Sequence, residues 1–216
     1  MNVVHPENRI PVYAAITAGA LLHLALPREV APGPSWIPVA FVVPLLLPNV
    51  LSREAGRNRL ARKIGTATMA ALTLFLLGAL FTLIYRLLYQ PSSHHEATLI
   101  LRAAVPLWMG NILVFALWYW RLDAGGPHIR DSGHRFGHGF VFPQMTMSDE
   151  QLETYCQAHW RPKFMDYLFL AFNTSTALSP TDTAVVAGWA KGLTMLQSLV
   201  SILLLAVVAA RAVNIL

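Results

Sequence analysis

The stretch "DYLFLAFNTSTALSPTDT", residues 166–183, sets a short apolar run against a polar one. Residues 166–172 are too few to cross a bilayer, because a spanning helix needs about 20 mostly apolar residues. A long apolar run, 189–213, follows the polar residues. Irregular backbone survives at membrane depth only where it lines water or is buried in protein. This order predicts a re-entrant loop over 164–183, with a half-helix that enters and a polar segment that returns.

The composition places this stretch in a membrane protein. Of 216 residues, 55% are hydrophobic and only 12% are charged, whereas soluble domains carry about 25% charged residues. We therefore predict an all-α integral membrane protein with about five transmembrane helices plus a re-entrant pore half-helix. The second predicted span is short and contains three prolines. The predicted spans are 11–26, 36–51, 66–88, 99–120 and 189–213.

The spans suggest two parts of unequal character. Residues 1–97 hold three N-terminal membrane helices, and residues 98–216 hold the rest. Within the second part, a polar segment at 123–163 separates the span 99–120 from the re-entrant loop. Inside that segment, Ser148 followed by Gln151 predicts the capped start of a short soluble helix. The polar segment is expected to cover one face of the membrane domain.

From Phe164 onward the chain resembles the pore module of the tetrameric potassium-channel-like superfamily, of the bacterial two-helix type. "DYLFLAF" takes the place of the pore helix, "TALSPTD" that of the filter, and 189–213 that of the inner helix. The span 99–120 would be the outer helix. The resemblance implies a homotetramer in the plasma membrane of a bacterium, in contact with lipid, that passes a monovalent cation.

The filter-like residues depart from the family pattern. The two glycines of the family's filter fall on Ser179 and Thr181, and its tyrosine falls on Pro180. Residues with a Cβ avoid the backbone angles that glycine supplies there, and proline fixes φ and lacks an N–H. We therefore expect a degenerate, non-standard filter, in which a ring of Asp182 carboxylates would favour cations. The filter-like residues are Thr176, Ala177, Leu178, Ser179, Pro180, Thr181 and Asp182.

The last predicted span carries a polar stripe. Thr194, Gln197, Ser198 and Ser201 fall on one face of a helix, because residues three and four apart are neighbours. Such a stripe either lines a water-filled path or makes hydrogen bonds between helices. The resemblance to a pore module favours the first interpretation, in which all four residues of the inner helix line the pore.

Other classes of function are less well supported. The alternative to a channel is a non-conducting membrane scaffold or sensor protein whose re-entrant loop is structural. Cys156 and His159 lack a third orienting group, so no enzyme is predicted. His128, His134 and His138 lack carboxylates or cysteines at zinc-like spacing and are expected to be solvated loop residues, so neither a metal nor a cofactor is predicted. No basic face interleaved with aromatics predicts a nucleic-acid partner.

The orientation in the membrane is the open question. The loop "SREAGRNRLARK", residues 52–63, is rich in arginine, and short loops of this kind stay cytoplasmic. Counting spans from it places the polar segment 123–163 in the cytoplasm as well. The resemblance requires that segment to be external. The two arguments conflict, and the sequence leaves the orientation open.

Overall fold

A computed structural model of the chain describes residues 7–54, 58–89, 94–131, 137–156, 160–179 and 182–212. Pro180 and Thr181, which belong to the predicted filter, lie outside the described residues, as does the end of the predicted inner helix at Val213. The helices are α1 (Ile10–Leu22), α2 (Ile37–Glu54), α3 (Asn58–Tyr89), α4 (His94–Leu122), α5 (Pro127–Asp131), α6 (Asp149–Tyr155), α7 (Phe164–Thr176) and α8 (Gly188–Ala212), and the strands are β1 (Phe140–Val141) and β2 (Ala184–Val185).

Three helices in the described part of the chain are long and apolar enough to cross a membrane. They cover Arg59–Tyr89, Thr98–Gly125 and Gly188–Ala210. These are the third, fourth and fifth predicted spans, so a mainly helical chain with candidate membrane-spanning helices is confirmed. The first two predicted spans form shorter apolar helices, Ile10–Ala25 and Ile37–Leu51. The count of five spans is therefore not confirmed by helix length.

Helix α2 contains two prolines and packs closely against α3. Pro44 and Pro48 lie inside the helix, where each removes a backbone hydrogen bond. The side chain of Asn49 donates to the carbonyl of Ala61 at 2.9 Å. A Cβ on Gly65 would lie 3.1 Å from the Asn49 amide nitrogen. The glycine thus allows the close approach that this contact requires.

Helix α4 is the centre of the bundle and packs against α1, α3, α7 and α8. Its side chains Ile100, Leu107, Leu117 and Tyr119 are almost fully buried. Because α3 and α8 both run antiparallel to α4, the C-terminal end of α4 lies beside the starts of these two helices. We call this end of the bundle the cap end, since the described residues of 123–163 lie there.

The cap segment is held by a two-stranded ladder and an aromatic cluster. Strand β1 pairs antiparallel with β2, and Phe140 lies opposite Val185. The buried ring of Phe140 contacts Tyr119, Tyr167 and Trp189, with centroid distances of 4.9, 6.3 and 5.6 Å. The ladder ties the segment that precedes α8 to the cap.

The predicted capped helix within the cap is confirmed. Ser148 and Gln151 form a reciprocal capping box at the start of α6, in which the Ser148 hydroxyl accepts from the Gln151 backbone at 3.3 Å. The Gln151 side chain in turn accepts from the Ser148 backbone at 3.0 Å.

Candidate functional site

Helix α7 begins at the cap end with its first N–H groups satisfied by carboxylates. Asp166 accepts from the Lys163 backbone at 2.7 Å, and Glu7 accepts from the Phe164 backbone at 2.9 Å. Negative charge is stabilising at a helix N-terminus. Burial raises the pKa of Asp166, and the N–H and the charge of Lys163 oppose that rise. The half-helix therefore starts at a position fixed by two acidic side chains.

Helix α7 runs antiparallel along the C-terminal half of α4. Near its start, the Tyr167 hydroxyl donates to Asp123 at 2.7 Å; near its end, Ser175 meets Asn111 at 3.4 Å. These two partners are twelve residues apart along the chain, or about 18 Å at the helical rise. The 13 residues of α7 cover about 20 Å, which is shorter than the bilayer core of about 30 Å. The helix therefore stops about halfway along α4.

After α7 the chain returns to the cap end. The carbonyl of Leu178 accepts from the Ser198 hydroxyl at 3.2 Å, whereas Val185 pairs with Phe140 beside the start of α8. Nine residues of α8 separate Ser198 from Trp189, about 14 Å along the helix axis. The backbone reverses near Leu178, whose φ of 60° is left-handed. The described residues of 164–187 thus form a helix and a segment that returns to the cap end; we call this stretch the hairpin.

The deep end of the hairpin is joined to α4 and α8 through Gln197. Its amide nitrogen donates to the Ala171 carbonyl and to the Ser175 hydroxyl, both at 2.7 Å. Its amide oxygen accepts from the Tyr119 hydroxyl. Gln197 and Tyr119 are both 0% exposed. A buried amide with all of these bonds holds three helices in one arrangement.

Asn111 extends the same network on α4. Its amide nitrogen donates to the Ser201 hydroxyl at 2.9 Å, with longer contacts to Ser175 at 3.4 Å and to the Gln197 carbonyl at 3.5 Å. Its oxygen Oδ1 is the one buried atom of this group without a hydrogen-bond partner in the described part of the chain. We call these five side chains the Gln197 network: Asn111, Tyr119, Ser175, Gln197 and Ser201.

This network corrects the interpretation of the polar stripe on α8. Gln197 and Ser201 are fully buried, because α4 and α7 pack on that side of α8. Thr194 is also buried and donates to carbonyls of its own helix. Gln197 and Ser201 therefore make hydrogen bonds between helices, which was the alternative to lining a pore. Ser198 is the stripe residue that remains partly exposed.

The described filter-like residues, in contrast, are exposed. Ala177, Ser179 and Asp182 are exposed, and Leu178 is 39% exposed. Thr176, also exposed, donates its hydroxyl to the Phe172 carbonyl within α7. The end of α7 and the return segment are therefore an accessible surface of the single chain. The structure brings the described filter-like residues together at one place.

A buried carboxylate, which the sequence analysis did not identify, fixes the base of the hairpin. Asp123 is 0% exposed and accepts from the Tyr167 hydroxyl at 2.7 Å, the Gly139 N–H at 2.6 Å and His138 Nδ1 at 3.1 Å. Burial raises the pKa of Tyr167 well above its ordinary value, so the phenol remains a neutral donor. His138 lies exposed in a loop, as expected, and its Nδ1 also contacts the Asp123 carboxylate.

The N-terminal segment contributes to the same base. The carboxylate of Glu7 accepts from Trp120 Nε1 at 3.0 Å and pairs with Arg130 at 3.5 Å. Arg130 also lies over the Tyr167 ring, 5.4 Å from its centroid. Contacts between residues more than 100 positions apart thus close the cap onto α4 and α7. No short motif in the sequence could indicate them.

The described residues contain no group of three or more histidine, cysteine, aspartate or glutamate side chains that could hold a metal ion. His134 lies outside the described residues. Comparisons with protein-family models, curated proteins and solved structures find no match for this chain. The resemblance to the potassium-channel-like pore module consequently rests on the residues and on the shape of the hairpin.

Proposed function

We propose that this chain is a channel-like membrane protein, in which copies of the hairpin surround a path for monovalent cations. The observation that carries the proposal is the accessible return segment after a half-length helix. A helix that stops halfway along a candidate span, followed by a chain that returns to the same end, is the arrangement that a re-entrant pore loop requires. Irregular backbone of this kind is tolerated at membrane depth where it lines water.

The charges near the hairpin support a cation as the permeant species. The C-terminal end of a helix carries partial negative charge, and the exposed end of α7 places that charge next to the return segment. Asp182 is exposed and adds a full carboxylate. The only other acidic residue after position 163 is Asp166, which is engaged at the start of α7. Asp182 is therefore the acidic side chain best placed to form a ring at one mouth.

A path of this kind requires several copies, because one hairpin cannot enclose it. The faces of α7 and α8 that α4 leaves uncovered are apolar, as expected of surfaces that meet lipid or another copy. A homotetramer in a bacterial plasma membrane is the assembly that the resemblance implies. In it, α1 and α2 would complete a five-span protomer. The exposed apolar side chains on these faces are Met165, Phe169, Phe172, Met195, Leu196, Leu199, Ile202 and Leu203.

The test is cation flux from liposomes that contain the purified full-length chain. We expect potassium or sodium flux, with lower flux in Asp182→Asn. The matched control is Glu153→Gln, which removes an exposed carboxylate from α6 in the cap. If each of four carboxylates lies about 10 Å from the ion, their summed attraction in water is about 1.7 kcal/mol before screening. Screening reduces it to about 0.5 kcal/mol at 0.15 M salt and about 1.2 kcal/mol at 0.01 M.

The expected loss of flux in Asp182→Asn is therefore about twofold at 0.15 M salt and about eightfold at 0.01 M. Glu153→Gln should change flux by much less at either concentration. The oligomeric state of each variant in detergent, measured by native mass spectrometry, must stay that of the wild type. A loss that does not depend on salt, or an equal loss in the control, would refute the role of Asp182.

One observation favours the second candidate, a non-conducting scaffold or sensor with a structural hairpin. The Gln197 network seals the deep end of the hairpin within a single chain, without a polar face left for water on that side of α8. A chain that is monomeric in detergent and passes no cation under any gradient would establish this alternative. Flux that depends on Asp182 in an oligomer would exclude it.

A further inference from the structure

Arg121, at the C-terminal end of α4, is a partly buried cation without an acidic partner. Its guanidinium donates to the backbone carbonyl of Arg62 and to the Thr66 hydroxyl, the latter at 3.1 Å. Both acceptors are neutral, and no carboxylate in the described part of the chain pairs with Arg121. A guanidinium taken partly out of water is costly unless it is paired. Within the described residues, Arg121 therefore lacks an acidic partner.

Two further arginines make this lack more pronounced. Arg9 and Arg62 are both close enough to repel the Arg121 charge. Arg9 is only 7% exposed, and its guanidinium carbon lies 5.9 Å from the centroid of the Trp120 ring. Three cations from α3, α4 and the start of α1 thus converge at one place.

A small cavity opens between these helices. It is lined by Arg9, Tyr13, Asn49, Arg121 and His128, with Met69 and Ile16 on its apolar side. Its polar wall carries mostly hydrogen-bond donors, because arginine has only N–H groups and the asparagine amide and tyrosine hydroxyl can also donate. A wall of this kind suits an anion with several acceptor oxygens.

We infer that this cavity, the arginine cavity, binds the phosphate group of an anion. Arginine is the side chain best suited to phosphate, because its fork of N–H groups can bind two oxygens at once. Arg9 and Arg121 line the cavity and supply the charge, and Tyr13 and Asn49 supply neutral donors. The inference is independent of whether the hairpin conducts.

An anionic lipid headgroup is the source of phosphate that the location favours. Arg121 lies near the end of the candidate span Thr98–Gly125, three residues after Trp118, which is partly exposed. Tryptophan and tyrosine mark the level of the headgroups in a membrane. Basic pockets between helices at this level bind phosphate-bearing lipids. Free inorganic phosphate offers the same chemistry and is the other source to be tested.

The experiment measures lipid binding to the full chain by native mass spectrometry from detergent. Phosphatidylglycerol is compared with zwitterionic phosphatidylcholine, and inorganic phosphate is added in a third arm. Wild type is expected to bind phosphatidylglycerol at least about tenfold more tightly than phosphatidylcholine, and Arg121→Gln to lose most of that difference. Arg59→Gln is the matched control, because Arg59 is exposed at the same end of the bundle and does not line the cavity. It should change binding by less than about twofold.

The outcomes separate the possibilities. Equal losses in Arg121→Gln and Arg59→Gln would mean that only surface charge attracts the lipid, and would overturn the site. No preference for phosphatidylglycerol and no effect of phosphate would also overturn it. Competition by millimolar phosphate that depends on Arg121 would identify free phosphate as the ligand, whereas preference for the lipid without such competition would identify the headgroup. Arg9→Gln, on another helix of the same cavity, should reproduce the loss and replaces Arg121→Gln if that variant does not fold.

Discussion

Replacing Gln197 by methionine tests whether the polar face of α8 is sealed in the protein or wetted by a pore. The substitution keeps an unbranched side chain of similar size but removes the amide. It leaves the buried Tyr119 hydroxyl without its acceptor, which costs about 1–3 kcal/mol. The bonds to the Ala171 carbonyl and to Ser175 contribute about 1 kcal/mol each. We expect Gln197→Met to lower the free energy of unfolding by about 3–5 kcal/mol.

The coupling between Gln197 and Tyr119 is the decisive quantity. Tyr119→Phe alone leaves the Gln197 amide oxygen without its donor, at a cost of about 1–2 kcal/mol. In the double variant neither partner is left unpaired, so the combined loss should be smaller than the sum of the single losses. Hydrogen bonds between helices in membranes show couplings of about 0.6–1.7 kcal/mol. We expect a coupling of about 1 kcal/mol.

The assay is reversible unfolding of the full chain in mixed micelles by titration with a denaturing detergent. Pairing Gln197→Met with Thr82→Ala provides the control, because Thr82 donates only to the Gly78 carbonyl of its own helix. Those two changes should add within about 0.5 kcal/mol. If the Gln197 and Tyr119 changes also add within that margin, water replaces the lost partners. The face would then be wet, and the sealed network would be refuted.

Two further predictions concern the cap end. Gly139→Ala should lower the free energy of unfolding by about 1–3 kcal/mol, because its Cβ would lie 2.3 Å from a ring carbon of Trp189. Gly137→Ala is the control, since nothing lies within 4 Å of the new Cβ. In the same unfolding assay it should change the free energy of unfolding by less than about 0.5 kcal/mol. Cys156, the single cysteine, is partly exposed in the cap. The arginine-rich loop 52–63 favours a cytoplasmic cap, so a membrane-impermeant maleimide should label Cys156 in inside-out vesicles but not in intact cells. Labelling in intact cells would contradict a cytoplasmic cap.

The parts of the fold that the sequence predicted are those with local signals. Long apolar runs predicted α3, α4 and α8, because the length of a run decides whether a helix can span a membrane. The capping box at Ser148 marked the start of α6. The hairpin was predicted for the same reason, because a run too short to cross and a polar stretch after it are adjacent in the chain. None of these features depends on a distant residue.

The contacts that organise the candidate site could not be predicted from local signals in the sequence. Helical periodicity places Gln197 and Ser201 on one face of α8, but it does not indicate which helix covers that face. Their partner Asn111 is about ninety positions earlier in the chain. Asp123 was not identified because its donors come from a cap segment and from α7. Packing decided both cases, and a single sequence does not encode packing in any short pattern.

The positions of the helices bear on the conflict between the arginine-rich loop and the pore resemblance over the membrane orientation. The basic residues at the start of α3 lie at the cap end, where Arg121 donates to Arg62, and the hairpin enters from that same end. A cytoplasmic basic segment therefore implies a hairpin that enters from the cytoplasm, opposite to the orientation in the family that it resembles. The polarity of α7 is unaffected, because the negative end of a half-helix lies at mid-depth whichever side it enters from. Asp182, close to β2, would then stand at the cytoplasmic mouth. Its removal should accordingly reduce flux most when the low-salt solution, where screening is weakest, is on the side of the cap.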